Sequence, residues 1–231
     1  VEAALKNPAR PKPDRVLATA ERATRIAAIA PSVKIGALKI ETLENGEIAR
    51  LLPSGAVHQG VALKTPALEG EDLQSVAEPA AGVLLMLDQV TDPQNVGAIL
   101  RSAAAFGVRG VIMQDRHAPQ LGGALAKAAA GAVDKVAVVR AVNLARALDK
   151  LSDLGWTIVG LAGGGDKVLD KALDGRPTVL VMGSEGEGMR RLVQDHCDVL
   201  ARIPMPGGFE SLNVSSAAAV ALYEASRKAG G

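Results

Sequence analysis

From residue 82 onward short aliphatic runs alternate with helix-forming stretches, without an internal sequence repeat. The runs at 83–87, 108–113, 136–140, 156–161, 178–182 and 199–203 read as strands. The first and fifth, VLLML and TVLVM, are apolar almost throughout, as in strands buried on both faces. Residues 95–106 place Val96, Ile99, Leu100, Ala103 and Phe106 at helical spacing, and helices are also expected over 143–154, 189–196 and from 217 to about 228. The Ala-rich stretch 121–131 reads as a weak helix or loop. Strands separated by helices imply crossover connections and an α/β domain with a parallel sheet covered on both faces.

Residues 1–64 read as a smaller α/β unit. Strands are expected at 15–18, 33–40 and 57–63, with helices at 19–30 and 41–52; 1–6 reads as part of a helix whose preceding strand lies before this numbering. The stretch 65–81, with acidic residues and two prolines, reads as a linker. At 231 residues with 48% hydrophobic content, two such domains are affordable.

Composition narrows the function. No apolar run reaches the ~20 residues of a membrane helix, and the first residues lack a signal-peptide core, so a cytoplasmic protein without membrane contact is expected. A single cysteine, Cys197, excludes an internal disulfide and reads as a buried structural thiol. His58, His117 and His196 are scattered without metal spacing, so no metal is expected. Aromatic residues are too few for a base-stacking platform. The net charge is +1, but residues 1–40 hold eight Lys/Arg against three acids, compatible with a phosphate-facing surface.

In a parallel sheet ligands bind beyond the carboxyl ends of strands, and three such ends carry unusual loops. The first runs from Asp88 into the helix that bears Asn95, Gly97 and Arg101. Arg101 lies off the apolar stripe, and a glycine inside a helix costs ~1 kcal/mol relative to alanine, so Gly97 suggests a close approach at that face. The second, Gly183-Ser184-Glu185-Gly186-Glu187-Gly188, lacks the Lys-Ser/Thr of a phosphate loop, and its two acids suit a neutral or cationic ligand. The third breaks at Pro206-Gly207-Gly208 and leads through Ser211, Leu212 and Asn213 into the last helix, with Ser211 or Asn213 as its N-cap. The Gly163-Gly164-Gly165 run reads as a plain turn.

Together, DPQNVGAILRSAAAFGV (92–108), LVMGSEGEGM (180–189) and IPMPGGFESLNVSSAAAVALYE (from Ile203) resemble the three signature motifs of the SPOUT superfamily, specifically its SpoU (TrmH-like) RNA ribose 2′-O-methyltransferases. Less specifically, VEAALKNP near the start and AVHQGVAL (56–63) resemble the L30e-like domain of the large-subunit rRNA guanosine methyltransferases in that group. The resemblance implies a SPOUT domain over 82–231 with a C-terminal trefoil knot, preceded by an L30e-like RNA-binding domain over 1–64. It implies S-adenosylmethionine as cofactor, a homodimer, and an RNA substrate, expected to be rRNA. By position, Gly183, Ile203, Met205 and Leu212 would contact the cofactor. Asn95, Arg101, Glu185, Ser211 and Asn213 would be catalytic. A tRNA ribose methyltransferase, a non-catalytic RNA-binding assembly protein of the same fold, and an ordinary nucleotide-binding enzyme are the competing readings.

Overall fold

The computed structural model describes residues 1–29, 39–208 and 211–229. The chain divides into two compact units, residues 1–69 with 121–124, and 70–120 with 125 onward.

In the first unit, helix α1 (Glu2–Lys6) precedes strand β1 (Arg15–Ala18), helix α2 (Ala20–Ile29), strand β2 (Ile40–Thr42), helix α3 (Asn45–Arg50) and strand β3 (Val61–Lys64). β1 is central, parallel to β2 and antiparallel to β3. Leu5, Val16, Ala18 and Ile26 form the core. The expected strand at 57–63 begins late because Gln59 and Gly60 both take positive φ, which ends a pleated run. The expected strand at 33–40 falls mostly outside the described residues. The helix expected over 41–52 shortens to α3, whose entry is set by a capping box between Glu44 and Glu47.

The second unit contains α4 (Leu73–Ala77), β4 (Val83–Leu87), α5 (Pro93–Ala105), β5 (Gly110–Gln114), all but the first two residues of α6 (Gly123–Ala128), β6 (Ala137–Ala141), α7 (Leu144–Asp153), β7 (Thr157–Leu161), β8 (Lys167–Val168), α8 (Leu169–Ala172), β9 (Thr178–Met182), α9 (Arg191–Gln194), β10 (Val199–Arg202) and α10 (Val214–Ala229). Seven strands pair in parallel in the order β6-β5-β4-β9-β7-β10-β8. β4 and β9 are buried at every residue, as their uninterrupted apolar runs require. One core cluster joins Leu84, Met86, Ile112, Leu148, Leu151, Trp156, Ile158, Val179 and Val181.

Two stretches differ from the sequence expectation. The segment expected to be a linker carries α4, capped by Asp72, with Val76 and Ala77 buried; the Trp156 indole donates to the Ala77 carbonyl at 3.0 Å, so its far end belongs to the second unit. The glycine run at 163–165 is more than a plain turn. β10 lies between β7 and β8, so the chain joining those two strands must cross it. A Cβ on Gly165 would sit 2.6 Å from the Ala201 carbonyl carbon, inside the limit of atomic contact. The Arg202 guanidinium then holds the crossing, donating to the carbonyls of Gly165 (2.6 Å) and Asp166 (3.0 Å).

Candidate active site

Because every strand of the large sheet runs the same way, all carboxyl ends share one edge. Met182, Leu161 and Ala201 are partners across β9, β7 and β10. Gly183 and Ile203, which follow β9 and β10, therefore leave that edge about two strand spacings, ~10 Å, apart.

The turn after β9 is built from backbone. Ser184 and Gly188 exchange two N–H to carbonyl bonds, at 3.1 and 3.0 Å. Gly186 (φ 87°) and Gly188 (φ 70°) reverse the chain in the left-handed region that favours glycine. A Cβ on Gly183 would lie 1.9 Å from the Gly188 carbonyl carbon, so no other residue fits there.

From this turn Glu185 reaches the start of α10. Its Oε1 accepts from Asn213 Nδ2 (2.5 Å), from the Val214 backbone N–H (3.1 Å) and from Asn95 Nδ2 (3.2 Å). Asn213 Nδ2 also donates to Asn95 Oδ1 at 3.0 Å. Asn95, Glu185 and Asn213, separated by 90 and 28 residues in sequence, thus close a triangle. Two helix caps hold its corners. Asp92 accepts from the Asn95 N–H at 2.9 Å and starts α5, with Pro93 in the first turn. Asn213 Oδ1 accepts from the Ser215 and Ser216 N–H groups and the Ser215 hydroxyl, making Asn213, not Ser211, the cap of α10. The N-terminal end of a helix carries positive partial charge, a favourable place for the Glu185 carboxylate.

Arg101 projects from α5 and is exposed, with no ion-pair or hydrogen-bond partner among the described residues. The close approach expected at Gly97 is present, and the chain itself makes it: a Cβ there would meet Ala128 Cβ at 2.5 Å and the Leu125 carbonyl at 2.7 Å. Gly97 is thus a helix-packing residue that lets α6 lie against α5, and it points to no ligand. Ser211 is exposed and takes no part in the triangle's bonds. Ile203 and Met205 are half-buried, and Leu212 is 39% exposed, large for an aliphatic side chain. These apolar groups lie in the stretch between β10 and α10.

Sequence reasoning missed Asp88. It is fully buried, and its carboxylate meets both the backbone and the guanidinium of Arg190 at the far end of the 183–189 turn. An acid directly after an all-apolar strand was the available signal. Cys197, expected to be a buried structural thiol, is half-buried; burial first, and the charge of Asp198 second, push it up to about 12, and its Sγ lies 3.3 Å from the Val193 carbonyl. No group of side chains suited to a metal ion occurs among the described residues, and none of their helices is long and apolar enough to cross a membrane.

The family model of the SpoU rRNA methylases matches residues 82–223. The chain belongs to the SpoU rRNA methylase family. Relatives within it include the 23S rRNA (guanosine-2′-O-)-methyltransferases RlmB of Pseudomonas aeruginosa, 48% identical over 177 residues (74% of this chain, 71% of that protein), and of Xylella fastidiosa, 49% identical over 180 residues (75% and 72%). The solved SpoU methyltransferase AviRb from Streptomyces viridochromogenes shares the fold at a TM-score of 0.79 and 24% identity, covering 98% of this chain and 85% of that one. The A. aeolicus TrmH/SpoU tRNA modifying enzyme is 28% identical at a TM-score of 0.58, covering 68% of this chain and 80% of that one. The matched span contains all three stretches that the triangle and its flanking turns draw together.

Proposed function

We propose that this chain transfers a methyl group from S-adenosylmethionine to the ribose 2′-hydroxyl of a guanosine in 23S rRNA. The observation that carries the assignment of residues is the Asn95–Glu185–Asn213 triangle, which ties all three SpoU motifs to one end of the sheet. Membership of the SpoU family and the RlmB relatives carry the reaction.

The chemistry of the site suits this cofactor. The backbone around Gly183 and Ile203 is assigned to the adenine edge and ribose, and the half-buried Met205 and 39%-exposed Leu212 to the purine face. The carboxylate of Glu185 is a suitable neighbour for a sulfonium or an ammonium group. When bound, the cofactor supplies an already electrophilic methyl group, which needs no metal.

What remains for the protein is alignment and charge. Transfer requires the 2′-oxygen in line with the methyl carbon, a positioning effect that in favourable cases is worth ~7 kcal/mol or more. The triangle fixes Asn95 against the start of α10, so an amide and a carboxylate stand in set positions where a ribose would lie. Arg101, exposed on α5 and without a partner among the described residues, is placed to take an RNA phosphate and to stabilise negative charge developing on the 2′-oxygen. A guanidinium keeps its own proton in proteins, so this role is electrostatic. Ser211, two residues before the α10 cap, is assigned to the ribose side.

The same reading makes residues 1–64 an L30e-like RNA-binding domain, supported by the basic bias of residues 1–40. It makes the crossing of β10 by the β7–β8 connection part of a trefoil knot. It also makes the protein a cytoplasmic homodimer, for which the stripe Ser216, Val220, Tyr223 and Arg227 on the exposed side of α10 is the candidate surface; Val220 is 44% and Tyr223 53% exposed.

The test is mass-spectrometric mapping of ribose methylation in 23S rRNA and tRNA, with and without the protein. A guanosine methylation in 23S rRNA that needs the protein supports the proposal, and one confined to tRNA replaces the substrate. Arg101→Ala is expected to bind S-adenosylhomocysteine normally and to lose roughly 10²–10³ in turnover, the scale of a missing charge stabiliser. Undiminished turnover would refute its role.

A further inference from the structure

Asp88 follows the last residue of β4 and is 0% exposed. Removing a carboxylate from water costs several kcal/mol unless good partners replace the lost hydration. Here the partners are specific. Oδ2 accepts the Arg190 backbone N–H at 2.8 Å. Oδ1 accepts from Arg190 Nε at 2.9 Å and lies 2.7 Å from its terminal nitrogen. The Asp88 backbone N–H donates to the Met182 carbonyl, also at 2.8 Å. Met182 is the last residue before the Gly183 turn, and Arg190 is the first after Met189. One buried residue therefore grips both feet of the seven-residue segment 183–189.

The grip has a second consequence. Asp88 opens the segment that leads to Asp92 and α5, so it links the turn bearing Glu185 to the helix bearing Asn95. The 3.2 Å bond between those side chains spans two elements whose separation Asp88 helps to set.

We infer that Asp88 is a positioning residue for the cofactor turn, acting through Arg190: it fixes the spacing of the turn's two feet and so the backbone groups offered to the cofactor. This rests on the reading that the 183–189 turn holds S-adenosylmethionine. A plain structural role would make Asp88 matter for stability alone. A positioning role makes cofactor affinity respond locally, ahead of global stability.

The experiment measures S-adenosylhomocysteine affinity by calorimetry, the thermal midpoint, and amide hydrogen exchange for the wild type, Asp88→Asn, Arg190→Ala, Arg190→Lys and the double variant Asp88→Asn/Arg190→Ala. Asp88→Asn is expected to weaken binding roughly tenfold to a hundredfold, the scale of a lost charge-assisted hydrogen bond in a buried setting. Amides of Ser184 and Gly188 should lose protection while those of β4 and β9 keep theirs. Arg190→Ala should weaken binding less, because the backbone N–H bond survives. Arg190→Lys should recover part of that loss, and the double variant should be no weaker than Asp88→Asn, since the two groups act as a pair.

Wild-type affinity in Asp88→Asn and Arg190→Ala overturns the inference while leaving the cofactor reading intact. So does a uniform loss of protection with a lowered midpoint, the signature of a stability role. A wild-type protein without affinity for S-adenosylhomocysteine removes the cofactor reading and this inference with it. If Asp88→Asn does not fold, Arg190→Lys decides the matter, because it keeps a cation beside the buried Asp88 carboxylate while changing the grip, and the Arg190 side chain is 40% exposed.

Discussion

The turn after β9 and the stretch after β10 leave the sheet at the same edge, yet they are held in opposite ways. The first is stitched to itself by the Ser184–Gly188 pair, has no room for a side chain at Gly183, and is gripped at both feet by Asp88. The second, among its described residues, carries one internal turn bond, from the Gly208 N–H to the Met205 carbonyl, and is anchored at its far end through Asn213. One has its shape before anything binds. The other takes position from what it touches: Glu185, Asn95 and the α10 N-terminus. A site made of one preformed wall and one wall set by contacts can hold a small cofactor firmly and still admit a bulky polymer.

The largest expected effect lies in the preformed wall. Gly183→Ala has to push apart backbone atoms at Gly188 and Met189, so the 183–189 turn cannot keep its form. Calorimetry should find no measurable affinity for S-adenosylhomocysteine, and retained affinity would show that this wall is softer than its geometry implies. Asn213→Ala attacks the other wall. It removes a helix cap worth ~1 kcal/mol and two sides of the triangle, so turnover should fall more than cofactor affinity. A loss of affinity as deep as that of Gly183→Ala would erase the distinction between the walls.

Glu185→Gln tests the bond that joins them. The neutral side chain still accepts hydrogen bonds but forfeits the attraction to the α10 N-terminus, ~0.3–1 kcal/mol at an exposed site, so a severalfold effect on kcat/KM is expected. Cys197, apart from both walls, sets the baseline. Its pKa, raised by burial to about 12, keeps it protonated and unreactive, so alkylation at pH 8 should be slow in the folded protein and fast in denaturant. Since the folded value exceeds the ordinary ~8.5 of a free thiol, this residue costs no stability below that pH. Its destabilising effect appears only as pH rises from there towards 12.

The sheet was legible because its strands are buried on both faces and leave unbroken aliphatic runs; β4 and β9 lie at 83–87 and 178–182 as their apolar stretches indicate. β8 and α8 were not, because two strand residues and a single helical turn leave no periodicity to read. The expected helix at 189–196 shrinks to α9, since Met189 and Arg190 belong to the foot of the turn. In the site, the motif residues Asn95, Glu185 and Asn213 were readable as candidates, but their bonds were not, being set by tertiary packing across up to 118 residues. Gly97 shows the reach of such a reading: an interior glycine signals close approach, which is present, and sequence alone does not say whether ligand or backbone fills the gap.

The position of β10 orders the assembly of everything near it. β8 pairs with β10 alone among the described strands, and the turn at Gly165 lies directly against Ala201. During synthesis, then, residues 162–168 emerge with nothing to close upon, and wait until 199–202 arrive. The final edge of the sheet is sealed by a strand made after its neighbours, so a nascent chain halted short of residue 202 would carry an open seam between β7 and β8.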